Sequence, residues 1–389
     1  MLVKGGLALA ILVLVMGAVP AAPANGAAGK DPSRSMLTPG GFTSAEICSG
    51  CHKDIHASWS ESVHARASTN PGFSSALQAA PPRERAMCLS CHAPTTLVTK
   101  STNTDDPLVQ EGITCSFCHA VTGAKDRWSM DMYTVDPGQT MRGPFQYASS
   151  PGHDTEYSPL HRTALLCAPC HQMTNGKGVA VLATYDEWKA GPWPRQGVQC
   201  QDCHMALVKG SVAEDIPKPV LASEQDRRLI NLHRLVGGSA LGQLRRALTA
   251  RVKRSDREAG TIKLDVEVRN DAAGHRAPTG LPSRSIVLKV TAARDGKSFF
   301  TEERVYRRTL LDAAGKRITR DADAFLNAIK AGHDSRISPG ETRFERFSIP
   351  APPGAARIAV SLEYVRGAGP EGGAPSRQVF QELSVDVAP

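Results

Sequence analysis

No cysteine in this 389-residue chain stands alone: all ten occur as pairs in five short Cys-X-X-Cys units. No thiol is left over for a disulfide framework outside those units. The first cysteine is Cys48, so none sits near the amino terminus where a lipid could be attached. Histidine is scarce, with 12 residues in the whole chain. After the apolar run Leu7 to Met16, no stretch is long and apolar enough to span a bilayer. The formal charge of +8 is the one feature that would favour nucleic acid, and nothing else in the sequence accompanies it. Nucleic acid is therefore not an expected partner.

What is present is a fivefold motif. The units read Cys48-Ser-Gly-Cys51-His52, Cys88-Leu-Ser-Cys91-His92, Cys115-Ser-Phe-Cys118-His119, Cys167-Ala-Pro-Cys170-His171 and Cys200-Gln-Asp-Cys203-His204. A histidine follows every second cysteine, which neither a disulfide framework nor a zinc site demands. The Cys-X-X-Cys-His pattern is that of covalent haem c attachment. The two thiols add across the vinyl groups and the histidine reaches iron as proximal ligand. The cofactor expected is five covalently attached haem c groups.

The amino terminus fits that chemistry. Lys4, the run Leu7 to Met16 and Ala22-Pro23-Ala24 form a secretory signal pattern with a cleavage site. The expected location is periplasmic or extracellular, where haem c is attached. The chain then divides into a signal peptide (1–24), a linker (25–41), a pentahaem domain (42–215), a bridging helix (216–254, read most clearly over 223–254) and a β-sandwich (255–389). The fold class expected is α+β: a loop-rich, mainly helical pentahaem domain followed by a small β-sandwich domain. So few residues for five macrocycles leave the haems as much of the core. Thr261 to Arg269 alternates apolar and charged residues without a slip, as a half-buried strand does. Ser285 to Thr291, Phe344 to Ile349, Arg357 to Val365 and Gln378 to Val387 are further strand candidates, with turns at Asp295-Gly296 and Pro339-Gly340. Charge changes at the same place. Residues 25–215 hold 15 Lys+Arg against 18 Asp+Glu, and residues 216–389 hold 30 against 20. The arginines between Arg227 and Arg254 face either haem propionates or solvent.

Function turns on the far side of each iron. Seven histidines are not in motifs: His56, His64, His153, His161, His233, His275 and His333. They suffice to cap five irons with two to spare. Capped irons pass electrons, whereas an open one can bind a substrate. The segment from Cys48 through Trp59-Ser-Glu-Ser62-Val-His64 resembles the first haem segment of multihaem cytochromes related to the tetrahaem nitrification cytochrome and to hydroxylamine oxidoreductase. Arg142-Gly-Pro-Phe to His153, Thr184-Tyr-Asp-Glu-Trp188, Cys200 to Met205 and Asn270 to Gly280 are similar to the same group, the last to members with an appended β domain. The resemblance implies that His64 caps a haem other than the one just before it.

The distal ligands expected are His64, His153 in a Gly-His turn, His275 in a Gly- and Pro-rich loop and His233 on the bridging helix. The fifth is open between His161, slightly preferred, and His56, which lies one helical turn after His52. His333 reads as a loop residue. The methionines of the haem region read as packing. No catalytic acid, base or nucleophile is singled out. The leading reading is an extracytoplasmic electron carrier. The alternatives are an oxidoreductase acting on a small nitrogen or sulfur compound at one five-coordinate haem, and a subunit of a cytochrome filament. Expected partners are redox proteins, with association to a membrane electron-transfer complex and homo-oligomerisation left open.

Overall fold

The computed structural model describes residues 36–214, 229–238, 240–367 and 375–389. The expected signal peptide, most of the linker, residue 215 of the expected pentahaem domain, and residues 216–228 and 239 of the expected bridging helix lie outside these. No helix among the described residues is long and apolar enough to cross a membrane.

The first part of the chain is built of short helices and two-stranded ribbons. Each Cys-X-X-Cys-His unit forms one helical turn, in the helices Ala45–Ser49, Pro82–His92, Cys115–Ala120, Ala168–His171 and Cys200–His204 or at their ends. Helical periodicity explains the spacing: residues i, i+3 and i+4 share one face, so two thiols and an imidazole emerge together. His52 N donates to Cys48 O at 2.9 Å and His171 N to Cys167 O at 3.2 Å, closing the turn in motifs that run past a helix end. Protein-only cores are small here. One gathers Phe42, Leu97, Phe117, Ala120, Val121 and Met132, with Cys91, Cys118 and Cys170 packed against it. Another gathers Leu77, Leu89, Ala93 and Val109.

The second part is two antiparallel sheets. We label their strands β1 (Leu248–Glu258), β2 (Thr261–Asn270), β3 (Ser285–Arg294), β4 (Lys297–Tyr306), β5 (Thr342–Pro350), β6 (Ala356–Arg366) and β7 (Ser376–Val387). One sheet has the order β5-β2-β1, the other β4-β3-β6-β7. Their inner faces share one core, in which Ile262, Leu264, Val266 and Val268 of β2 meet Leu288, Val290, Val360 and Leu362 of the other sheet. Alternation in β2 produces this directly, since successive side chains point to opposite faces. The β3–β4 turn is Asp295-Gly296, both in the left-handed region, as a two-residue hairpin needs.

The helix expected over 223–254 is corrected. Among its described residues, Leu229–Asn231 is a strand paired with Leu207–Lys209, and only Leu241–Ala247 is helical. Strand β1 already begins at Leu248. Leu248, Ala250 and Val252 alternate with Thr249 and Arg251, a period of two that pairs with β2 and overrides the helical propensity of the neighbouring residues. His333 lies on the strand Lys330–Asp334 rather than in a loop, and is exposed.

The two parts are joined by contacts as well as by chain. Val179 and Val181 of the haem-motif region form a buried cluster with Leu310, Ile318, Ala324 and Ala328. Asn175 Nδ2 donates to Ala328 O at 2.8 Å.

Leu264 is fully buried at the centre of the sandwich. Replacing Leu264 by Ala should cost about 2–5 kcal/mol of stability. Denaturant titration followed by far-ultraviolet circular dichroism measures this.

Candidate haem-binding sites

None of the ten motif cysteines is joined to another in a disulfide. Among the described residues no three of His, Cys, Asp and Glu converge as a metal cluster, so the motifs do not assemble zinc tetrads. Instead, thiols of different motifs lie against each other: Cys48 against Cys115, Cys91 against Cys170, and Cys167 against Cys200.

The histidines pair across space. Ring centres are 6.1 Å apart for His52 and His153, 6.3 Å for His171 and His64, 6.5 Å for His119 and His233, and 6.3 Å for His204 and His275. Two metal–imidazole bonds of about 2 Å, plus about 1.1 Å from Nε2 to each ring centre, would place the rings of a bis-histidine iron about 6.2 Å apart. Four motifs thus carry a second histidine at the separation that an iron between them requires. Ten thiols and five motif histidines fit five covalently attached haem c groups.

Hydrogen bonds set which nitrogen is free. Nδ1 of His52, His92, His119 and His204 faces the carbonyls of Val212, Ala67, Arg142 and Val236 at 2.5, 2.8, 2.5 and 2.5 Å. Nδ1 of His153, His233 and His275 faces Asp154 O, Asn231 O and Arg276 O at 2.9, 2.7 and 3.0 Å. A carbonyl only accepts, so each Nδ1 carries the proton and each Nε2 keeps its lone pair for a metal. In four rings burial also favours the neutral form, the one that ligates. It lowers His64 and His275 to about 4, and His119 and His171 to about 3, helped by neighbouring imidazoles.

His161 differs. It stacks beside His119 with ring centres 5.5 Å apart, but its Nε2 donates to Cys118 O at 2.9 Å. Its Nδ1 is buried without a partner. The nitrogen that His153, His233 and His275 keep free is thus engaged in His161, and the ring is not in ring contact with His92. His56 stands next to Trp59, with ring centres 5.5 Å apart. His92 is the motif histidine that no second histidine faces among the described residues. Phe73 stacks on it with ring centres 3.8 Å apart and planes 5° from parallel.

The anchors of these histidines come from distant segments. Trp59 Nε1 donates to Ile113 O at 2.9 Å, Ser62 Oγ accepts from Ala65 N at 3.0 Å, and Ile113 N donates to His64 O at 3.1 Å. This explains the Trp-X-X-Ser-X-His spacing: tryptophan and serine fix the turn that presents His64. The same turn is packed on Gly112, where a Cβ would lie 2.4 Å from His64 O at a φ of +64°. Glu214, unnoticed in the sequence, accepts from Lys53 N at 2.8 Å at the start of the helix after motif one. Its own N–H donates to Cys51 O at 2.8 Å, which holds Val212 beneath His52. The arginines of 227–254 with described partners are used within the protein. Arg234 pairs with Glu61 at 3.3 Å, Arg245 donates to Phe380 O at 2.8 Å, and Arg254 pairs with Asp256 at 2.7 Å.

Gly112→Ala should cost at least about 1–2 kcal/mol from the left-handed backbone alone. The same change should displace His64, and electron paramagnetic resonance of the oxidised holoprotein should then show one high-spin haem more than the parent. Denaturant titration supplies the stability term.

Residues 47–120 match the family model described as cytochrome c554 and c-prime. No curated protein matches the chain. Among solved structures, the penta-heme cytochrome c552 from Thermochromatium tepidum superimposes with a TM-score of 0.71 at 23% identity, covering 88% of this chain and 98% of that one. A β-glucuronidase from Bacteroides uniformis (16% identity, TM-score 0.17) covers 36% of this chain and 13% of that one, and no argument rests on it. The putative ApaA protein from Bordetella pertussis (16% identity, TM-score 0.19) covers 36% and 91%, and carries none either. The chain has the α+β fold of a pentahaem c-type cytochrome, and its first two haem-attachment motifs and the third lie in the segment that matches the cytochrome c554 and c-prime family.

Proposed function

We propose that this chain is an extracytoplasmic five-haem cytochrome that carries electrons, with four bis-histidine haems. The observation that carries the reading is the set of four histidine pairs with ring centres 6.1 to 6.5 Å apart, each joining a motif histidine to one from a distant segment. Haem c supplies one-electron redox chemistry at a potential set by axial ligands, hydrogen bonding and burial. The chain's own work is to hold it. Cys48 and Cys51, Cys88 and Cys91, Cys115 and Cys118, Cys167 and Cys170, and Cys200 and Cys203 attach the five groups. His52, His92, His119, His171 and His204 serve as proximal ligands. His153, His64, His233 and His275 cap the first, fourth, third and fifth. A haem iron held by two imidazoles would have no position for a substrate and would sit at a lower potential than one with a methionine. Partners are then other redox proteins.

The stack of Phe73 on His92, with no histidine facing that ring among the described residues, favours a second reading at one motif alone. There the iron would not be bis-histidine, and a small nitrogen or sulfur compound would have a place to bind.

Paramagnetic resonance quantified against haem content tests both readings. Four low-spin bis-histidine signals for every five haems are expected. His64→Ala, His153→Ala, His233→Ala and His275→Ala should each convert one more haem to high spin, and His161→Ala none. Five bis-histidine signals, or a new high-spin signal in His161→Ala, would sink the assignment. Titrating the reduced protein with carbon monoxide separates the readings. One molecule bound per chain supports the open site, and none restricts the protein to electron transfer.

A further inference from the structure

A buried charged network lies between the helix Thr184–Ala190 and the sandwich, close to one proposed ligand. Arg336 is 5% exposed, and its guanidinium pairs with Glu187, itself 7% exposed, at 2.7 Å. The other Glu187 oxygen accepts from Thr279 Oγ1 at 2.7 Å, and Thr279 Oγ1 lies 3.0 Å from Thr184 Oγ1. Arg336 also binds Asp334 twice, at 2.9 and 2.8 Å. Asp334 in turn pairs with Arg276 at 2.9 Å, the residue next to His275.

The loop that carries His275 is fastened at both ends to the same network. Ala277 and Ile337 exchange backbone hydrogen bonds at 2.9 and 3.1 Å. The fully buried Asn270 donates to His275 O at 3.1 Å. On the side of the haem motifs, Trp193 Nε1 donates to Ala273 O at 3.3 Å. A Cβ on Gly274 would stand 3.3 Å from both Trp188 and Trp193, so the loop passes closely between them. His275 ends with its ring centre 6.3 Å from His204 and its plane 15° from parallel.

A carboxylate held this far from water depends on its one cation: Arg336 is the ion-pair partner of Glu187 among the described residues, and the only other carboxylate on its guanidinium there is that of Asp334. The contact spans the two parts of the chain and lies within the shell of residues that aims one imidazole. We propose that Glu187 and Arg336 are positioning residues that seat His275 opposite His204, so that the sixth ligand at the fifth motif depends on docking of the sandwich. This rests on His275 being that ligand. The sandwich is then part of the redox site, and not only a cover over it.

The test compares holoprotein variants by paramagnetic resonance, with haem content and circular dichroism recorded on each. His275→Ala should give one additional high-spin haem, reversed by added imidazole. An unchanged spectrum in that variant means that His275 is not a ligand, and the underlying assignment fails. Glu187→Ala should also raise the high-spin fraction at one haem, at least tenfold over the parent, again reversed by imidazole. Glu187→Asp should fall between the two. Glu187→Gln, which keeps the shape and an acceptor for Thr279, replaces the alanine variant if that one does not fold. Folded Glu187 and Arg336→Met variants that stay low-spin, beside a His275→Ala variant that does not, overturn the proposal. Arg254→Ala on the exposed face of the same sandwich should leave the spectrum unchanged, and a spin change there as large as in Glu187→Ala would also overturn it.

Discussion

An imidazole can offer Nε2 to a metal only if something else takes the proton on Nδ1, and much of this fold exists to supply that something. Seven histidines find a main-chain carbonyl for the purpose, and five of those carbonyls are two residues away or more. The carbonyl of Val212 serves His52 from a bend far along the chain, and that of Val236 serves His204 from the loop that follows the strand Leu229–Asn231. Short helices and ribbons with little apolar core are sufficient because the ligating rings need fixed carbonyls more than they need a large hydrophobic interior.

The parts of this arrangement that repeat locally are the parts that could be read from the sequence. Five motifs announce attachment because each is complete within one helical turn. Strand β2 shows its alternation because each residue has only to choose a face. The Trp59, Ser62 and His64 spacing was visible as a resemblance, and its cause is a turn closed by the serine hydroxyl.

What could not be read depends on partners remote in sequence. Arg245 and Arg246 in a helical stretch gave no sign that β1 would start at Leu248, because only pairing with β2 decides between the two periods. His161 has the same chemistry as His233, and the carbonyl of Cys118 is what takes its Nε2. Glu187 lies 149 residues before Arg336, and neither is marked by its neighbours as one half of a buried ion pair. Glu214 is an ordinary acidic residue until it meets the start of a helix 161 residues earlier.

The contacts among motif thiols have a consequence that sequence order hides. Cys48 meets Cys115, Cys91 meets Cys170, Cys167 meets Cys200, and Cys118 packs on the same small core as Cys91 and Cys170. Drawn as a graph, the five motifs form no line from first to last. The second, third and fourth meet on one small core, the first is reached through the third and the fifth through the fourth, so the first and fifth are the end points. Loss of an end point shortens one arm, whereas loss of the third or the fourth cuts off the first or the fifth.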